Sequence, residues 1–430
     1  IVFIIIFFVL LGISAPIQQF ASLPYQIRMF SGHESLFHLS LPVHAKADVD
    51  HPDVLKVNGS SEPSFDVDLN EPLRLQSDGV GDAELTLSLF GKVPLKQVKV
   101  KVLPELKVVP GGQTIGVKLK ADGILVVGHH TIVTEDGKVS PGEEADIKRG
   151  DWITHFNGKK LDDIKNVTDF VQKAGKNNKK LELTLNRNGK SVKVKLKPAL
   201  DKSNGQYRMG LYIRDSAAGV GTLTYYAPDQ GMYGALGHRI TDLDTQTPMT
   251  VKDGEIVHSN VTSIAKSRNG VPGEKRAHFF NQGEVLGNIT INSDFGIFGH
   301  MKKQPSHGPI KKPVPVALAH EVKEGPAYIL TVVEGQKVEK FDVEIVQVSR
   351  QNKAATKGMV IKITDPELIE KTGGIVQGMS GSPIMQDGKL VGAVTHVFVN
   401  DPTSGYGCFV EWMLEESGII IQNSERQKAG

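Results

Sequence analysis

Residues 378–394 read GMSGSPIMQDGKLVGAV, and this stretch decides the fold. Glycines stand two positions before and one position after Ser380. They are typical of a tight turn with an exposed hydroxyl and with backbone N–H groups directed at a developing oxyanion. Pro383, an apolar strand, an Asp-Gly turn and a second apolar strand follow. Because no helix follows the serine, an α/β-hydrolase turn is excluded. The stretch predicts a nucleophilic serine on a loop before a β-hairpin, with the N–H groups of Gly378 and Ser380 as the oxyanion hole.

A nucleophilic serine needs a base that takes its proton and an acid that holds the base in one tautomer. His238 lies between small residues in the sequence GALGHRI, residues 234–240, about 140 positions before Ser380. The context before a hairpin and the order of histidine and serine are those of trypsin-like peptidases. We therefore expect His238 to be the base.

The acid is less clearly indicated. Asp294 lies 56 positions after His238 and 86 before Ser380, which is near the usual spacing of a two-barrel peptidase, whereas Asp365 lies only 15 before Ser380. Asp242 and Asp244 are weaker candidates. Spacing alone favours Asp294 and leaves the choice open.

A second motif precedes these residues. Residues 145–158, ADIKRGDWITHFNG, resemble the Gly-Asp…Asn-Gly element of PDZ domains in the permuted arrangement of bacterial envelope proteases. In such domains a glycine-containing loop binds a peptide's C-terminal carboxylate, and the peptide adds as a strand. The resemblance implies a PDZ domain over residues 104–198. It also implies a peptide-binding loop at Thr114, Ile115, Gly116 and Val117.

The rest of the chain reads as short strands and turns. Leu85, Leu87 and Leu89 alternate with polar residues, which predicts a small β module over residues 31–103. Similar short strands over residues 199–430 favour a peptidase domain with a trypsin-like double β-barrel. The 45 Gly and 22 Pro residues agree with many turns. We therefore predict a mainly β protein.

Composition excludes several classes of protein. A net charge of +2 gives no field that would hold nucleic acid. The single cysteine, Cys408, excludes intramolecular disulfides and paired-thiolate zinc sites, and we interpret it as a core thiol. No histidine pattern typical of a metalloprotease is present, so we expect neither a metal nor a cofactor.

Residues 1–13, IVFIIIFFVLLGI, are apolar, and the first charged side chain is Arg28. Such a segment predicts membrane insertion over residues 1–30, either as a cleaved signal or as a retained anchor. Both interpretations place the remaining residues outside the cytoplasm.

Taken together, the apolar segment, the PDZ element and the two peptidase motifs resemble the sporulation stage IV signalling serine peptidases of endospore-forming bacteria. The resemblance extends over essentially the whole chain. It implies a triad of His238, Asp365 and Ser380, with Asp365 taken from the sequence ITDP at residues 363–366. It therefore outweighs the spacing argument for Asp294.

The resemblance also implies a location and substrates. The protein would be secreted into the space between the two forespore membranes and released from its anchor. There it would cleave itself and a regulatory subunit of the membrane complex that processes a sigma-factor precursor. An inactive PDZ adaptor in the same compartment is the alternative function, and a secreted esterase is a weaker one.

Overall fold

The computed structural model of the chain describes residues 25–39, 41–161, 163–279, 285–305, 308–351 and 353–420. The predicted membrane segment therefore lies mostly outside the described residues. Among the helices of the described ranges, none is long and apolar enough to cross a membrane.

The N-terminal module is a pair of packed sheets. One sheet has the strand order β1-β8-β7-β3-β5 and the other β2-β6-β4. Alternate residues of these strands are buried between the sheets, as Ala83, Leu85 and Leu87 on β7 show. The strands are β1 Gln26–Phe30, β2 Glu34–Phe37, β3 His44–Val49, β4 Leu55–Val57, β5 Ser64–Asp68, β6 Leu73–Ser77, β7 Gly81–Leu89 and β8 Val93–Leu103.

The module begins earlier than predicted. Strand β1 lies within the range assigned to the membrane segment, yet it pairs in parallel with β8 from Gln26 to Phe30. Arg28 on β1 forms ion pairs with Glu411 and Glu415 near the C-terminus of the described chain, at 3.2 and 3.0 Å. The module is thus attached to the peptidase domain through β1.

Two long strands connect the central domains. After β9 (Lys107–Pro110), strand β10 runs from Thr114 to His129, and its antiparallel partner β19 runs from Leu211 to Ala227. Their pairing is irregular between Lys120 and Leu125. On one side of this irregularity the two strands belong to a PDZ domain, and on the other side to the first barrel of the peptidase.

Most of the PDZ domain is formed by the residues that lie between β10 and β19 in the sequence. Its core includes Ile124, Ile153, Val171 and Leu183, and helix α2 covers one face with residues at helical spacing. Strands β15 and β16 form a hairpin that turns at Asn188, whose φ of 52° suits a two-residue primed turn. The elements are β11 Ile132–Thr134, β12 Gly137–Val139, α1 Pro141–Glu144, β13 Trp152–Phe156, β14 Lys159–Lys160, α2 Lys165–Lys176, β15 Leu181–Arg187, β16 Lys190–Leu196, β17 Ala199–Asp201 and β18 Gln206–Arg208.

The first barrel is formed by β10, β19, β20, β25, β23 and β21. An isolated bridge from Gly287 to Met301 closes the ring between β23 and β25. Ile115, Tyr233 and Ile297 are among the buried residues that fill it. The strands are β20 Met232–Ala235, β21 Asp253–Ala265, β22 Gly273–Phe279, β23 Val285–Asn288, β24 Ile291–Ser293 and β25 Gly296–His300, followed by β26 Val314–Pro315.

The second barrel is closed in the order β27-β28-β29-β33-β32-β31. Its core includes Ile329, Phe341, Ile361 and Phe409. The elements are a 3₁₀ turn at Ala319–Glu321, β27 Gly325–Val332, β28 Val338–Val348, β29 Met359–Ile363, α3 Pro366–Thr372, β30 Val376–Gln377, β31 Pro383–Gln386, β32 Lys389–Phe398, β33 Asp401–Phe409 and α4 Val410–Glu416. The predicted mainly β fold is confirmed.

The first barrel takes strands from both sides of the predicted PDZ domain. Residues 107–120, which the sequence assigned to that domain, pair with the barrel strands β19 and β21 and with the short strand β26. Conversely, residues 199–213 pack on the PDZ side. A sequence pattern cannot show this division, because each long strand passes from one domain into the other without a break.

Candidate active site

Ser380 lies on a turn, residues 378–382, that connects β30 to β31; we call it the nucleophile turn. Gly378 and Gly381 have φ angles of 94° and 92°. A Cβ added at Gly381 would lie 2.1 Å from the carbonyl oxygen of Thr222. Only glycine combines that backbone angle with so close an approach. The local sequence therefore brings the turn against the neighbouring strand β19.

Strand β19 holds the nucleophile turn through two buried threonines. The Thr222 hydroxyl donates to the Gly378 carbonyl at 2.7 Å, and the Thr222 N–H donates to the Ser380 carbonyl at 3.0 Å. The Thr224 hydroxyl donates to the Gly381 carbonyl at 2.8 Å. Three carbonyls of the turn are thereby fixed. Neither threonine is predictable from the sequence, because nothing in a strand pattern marks a hydroxyl that bonds to a distant loop.

Three N–H groups of the turn are engaged within the protein, among them that of Ser382, which donates to the Met379 carbonyl at 2.9 Å. Met379 donates to the Val376 carbonyl at 3.0 Å, and Gly381 donates to the Val394 carbonyl at 2.8 Å. They are therefore unavailable to an oxyanion. The N–H groups of Gly378 and Ser380 remain the predicted donors.

The Ser380 side chain is half-buried, and its hydroxyl donates to the Thr395 carbonyl on β32 at 2.9 Å. Strand β32 continues from Thr395 into His396 and pairs there with β33. The pairing of β32 with β31 stops at Ala393. The serine therefore lies beside the part of β32 that pairs with β33 but not with β31.

His238 reaches the same part of β32 from the first barrel. It follows β20 through Leu236 and Gly237, whose φ angles are 72° and 70°. A positive φ is rare for leucine and indicates local strain, which is common at functional sites. A Cβ at Gly237 would lie 3.0 Å from Cγ2 of Thr395, and the His238 ring centroid lies 5.3 Å from that of His396. Ser380 thus contacts Thr395 and His238 contacts the next residue of β32, His396, whereas the described hydrogen bonds include none between Ser380 and His238 themselves.

The electrostatic surroundings suit a general base. Burial lowers the pKa of His238 below its usual value, and a hydrogen bond between Nδ1 and the Arg239 carbonyl, 2.9 Å away, opposes this shift. Burial, His238 and Lys357 lower the pKa of His396 as well. Both imidazoles are therefore mostly neutral at pH 7, and a neutral imidazole can accept a proton.

The first candidate acid, Asp365, is the N-cap of helix α3. Its Oδ1 accepts the N–H of Leu368 at 3.0 Å, and its Oδ2 accepts the N–H of Asp342 at 3.3 Å. Among the described contacts, Asp365 bonds to backbone at the start of its own helix and on β28. The assignment of Asp365 to the triad stays a prediction.

The second candidate acid, Asp294, lies next to the histidine loop. Its Oδ1 is 2.6 Å from Arg239 Nε, an ion-pair distance at an angle that does not give a hydrogen bond. Asp242 is buried against Arg214 and accepts the N–H and hydroxyl of Thr245. Asp294 thus contacts Arg239, the residue after His238, and Asp242 lies in the same segment four residues after His238.

The four residues of the predicted peptide-binding loop, Thr114 to Val117, lie in the first barrel. Ile115 pairs with Gly221 of β19 on one side and with His258 of β21 on the other. Both edges of β10 are therefore occupied there. A PDZ ligand adds to a free strand edge, so this placement is at odds with the predicted role.

The PDZ side offers a different edge. From Leu211 to Arg214, strand β19 pairs with β10, and the described strands place no partner on its other side. Gly210, just before it, has a φ of 69°, and Leu211 belongs to the PDZ core. Met209-Gly210-Leu211 is the sequence signal that could have indicated this edge.

Metal chemistry has no evident site in the described part of the chain, where no three His, Cys, Asp or Glu side chains cluster. Cys408 is fully buried, and burial raises the pKa of its thiol to about 12. A thiol with that pKa is not a nucleophile at neutral pH.

Two solved structures are similar to this chain, both at 13% identity and over 47% of its length. They are the active form of the Rv3671c protease from M. tuberculosis (TM-score 0.29, 74% of that chain) and its inactive form (TM-score 0.26, 84% of that chain). Scores this low support no conclusion about this chain. Residues 205–414 match the family model described as SpoIVB peptidase S55, and residues 132–187 match a PDZ domain. The chain is therefore a serine endopeptidase with a PDZ domain, and its peptidase region is similar to the SpoIVB peptidases of family S55.

Proposed function

We propose that this peptidase works outside the cytoplasm in a sporulation signalling pathway, where it cleaves itself and a membrane-associated regulatory protein. That cleavage would lead to processing of a sigma-factor precursor. The family description and the apolar segment at residues 1–13 support this proposal. The predicted location is the space between the forespore membranes, with the protein anchored first and then released.

The observation that carries the chemistry is that Ser380 and His238 contact adjacent residues of β32, Thr395 and His396 respectively. In the proposed mechanism the Ser380 hydroxyl attacks the scissile carbonyl and gives its proton to His238. The N–H groups of Gly378 and Ser380 bind the oxyanion, and His238 returns the proton to the leaving amine. By resemblance, Asp365 is the acid that holds the tautomer of His238.

The PDZ domain would select the substrate by its C-terminus. We propose that an extended peptide adds to β19 at Leu211–Arg214, the edge that the described strands leave unpaired. Backbone hydrogen bonds of this kind support weak, reversible binding. The peptide could belong to the regulatory protein or to the chain itself.

Labelling by an active-site phosphonate tests the chemistry. Wild-type protein should be labelled at Ser380, and Ser380→Ala should lose both labelling and self-cleavage, with a loss of order 10⁶ in kcat. Ser203→Ala, at an exposed serine between β17 and β18, is the control and should leave labelling unchanged. A folded wild-type protein that resists the reagent would favour the inactive adaptor.

A further inference from the structure

A buried lysine lies next to the nucleophile turn and has no part in the mechanism above. Lys275 is in the middle of β22 and is 1% exposed, whereas its neighbours Glu274 and Arg276 point to solvent. Lysines are almost never buried so completely unless they are paired, because desolvation of the ammonium is unfavourable. An apolar side chain at this position would therefore be expected to be more stable.

The stem of Lys275 lies against one end of the nucleophile turn. A Cβ added at Gly378 would be 3.1 Å from Cβ and 3.3 Å from Cδ of Lys275. On its other side, the Gly378 carbonyl is held by the Thr222 hydroxyl. Gly378 is thus enclosed between β22 and β19.

The amino group of Lys275 is linked to the other end of the nucleophile turn through one side chain, that of Thr331. Nζ donates to Oγ1 of Thr331 at 2.8 Å, and Oγ of Ser382 donates to the same oxygen at 3.1 Å. All three side chains are buried. Lys275 therefore contacts the nucleophile turn directly at Gly378 and, through Thr331, at Ser382.

We propose that Lys275 is a positioning residue that holds the nucleophile turn in the conformation that binds the oxyanion. This inference rests on the proposed function, because it assumes that Ser380 is the nucleophile. Donors in an oxyanion hole must lie within about 2.7–3.1 Å of the developing charge. A small rotation of the turn would break that geometry without changing how the substrate is held.

The charge of Lys275 gives the inference a pH signature. Burial lowers its pKa to about 7. The groups described against it, Gly378 and Thr331, are uncharged, and Ile264 pairs with it on β21. Below pH 7 the ammonium makes the stronger, charge-assisted bond to Thr331. The contribution of Lys275 should therefore decrease as pH rises.

The test is phosphonate labelling of the full chain with Lys275→Met, which keeps the stem and removes the amine. We expect the maximal labelling rate to fall about 10²-fold, as for loss of one oxyanion donor, and the half-saturating reagent concentration to change less than about threefold. The ratio of wild-type to variant rates should decline between pH 6 and pH 9. A folded variant that is labelled at the wild-type rate would overturn the inference.

Two further variants keep the test decisive. Thr331→Val removes the bridging hydroxyl at similar volume and should show the same selective loss of maximal rate, even if Lys275→Met does not fold. Lys362→Met, an exposed lysine on β29, should leave labelling unchanged. An equal loss with Lys362→Met, or a pH-independent ratio, would contradict the inference. Absence of wild-type labelling would overturn the proposed function and this inference with it.

Discussion

Replacing Lys275 by Met should stabilise the peptidase domain while it impairs labelling. The pKa of Lys275 falls from 10.5 to about 7 on folding. At about 1.36 kcal/mol per pKa unit, the charged lysine costs about 5 kcal/mol of folding free energy below pH 7. The Lys275→Met variant lacks the hydrogen bond to Thr331, and this loss lowers its free energy of unfolding by about 1 kcal/mol. The free energy of unfolding should therefore rise by about 4 kcal/mol at pH 6.

The sign of the pH dependence follows from the lowered pKa. Between pH 7 and pH 10.5 the unfolded chain binds the proton and the folded chain does not, so wild-type stability rises with pH across this range. The advantage of Lys275→Met should therefore shrink to about 1 kcal/mol at pH 9.

Urea unfolding measures this difference. With Trp152→Phe as the background, Trp412 on α4 reports on the peptidase domain. Lys362→Met is the control and should show no pH-dependent difference. A stability difference between wild type and Lys275→Met that is constant from pH 6 to pH 9, or a destabilised variant at pH 6, would refute the reasoning.

Three other outcomes are expected. Gly381→Ala should destabilise the protein by about 3 kcal/mol in urea unfolding, because the added Cβ would lie 2.1 Å from a backbone oxygen. Gly189→Ala is the control. Gly189 has a similar φ but open space around it, so the substitution should destabilise the protein by only about 1 kcal/mol. Asp365→Asn should keep the helix cap to Leu368 but lose the bond from the Asp342 N–H, at a cost of about 1 kcal/mol, and it should lower the labelling rate about 10⁴-fold, with Asp294→Asn unchanged; the reverse result would assign the acid to Asp294. The labelling rate should rise with pH through a midpoint below 6.5, because burial lowers the pKa of His238, and a midpoint above 7 would contradict this.

The local sequence alone determined where the tight turns form and that the protein consists mainly of β-strands. The glycines around Ser380 could be interpreted without a structure, because glycine adopts a positive φ without the steric cost that other residues have. The alternation on β7 and the Asn188 turn likewise specify one buried face and one hairpin. These signals need only neighbours in the chain.

Tertiary structure decided which residues share a site. Thr222, Lys275 and Thr331 meet the nucleophile turn from three different strands, and their residue types are unremarkable in a strand pattern. The position of Ile115 in the first barrel follows from pairing on both edges of β10, which no local pattern encodes. Contacts between distant segments depend on sheet order and register, and single-residue periodicity carries no information about either.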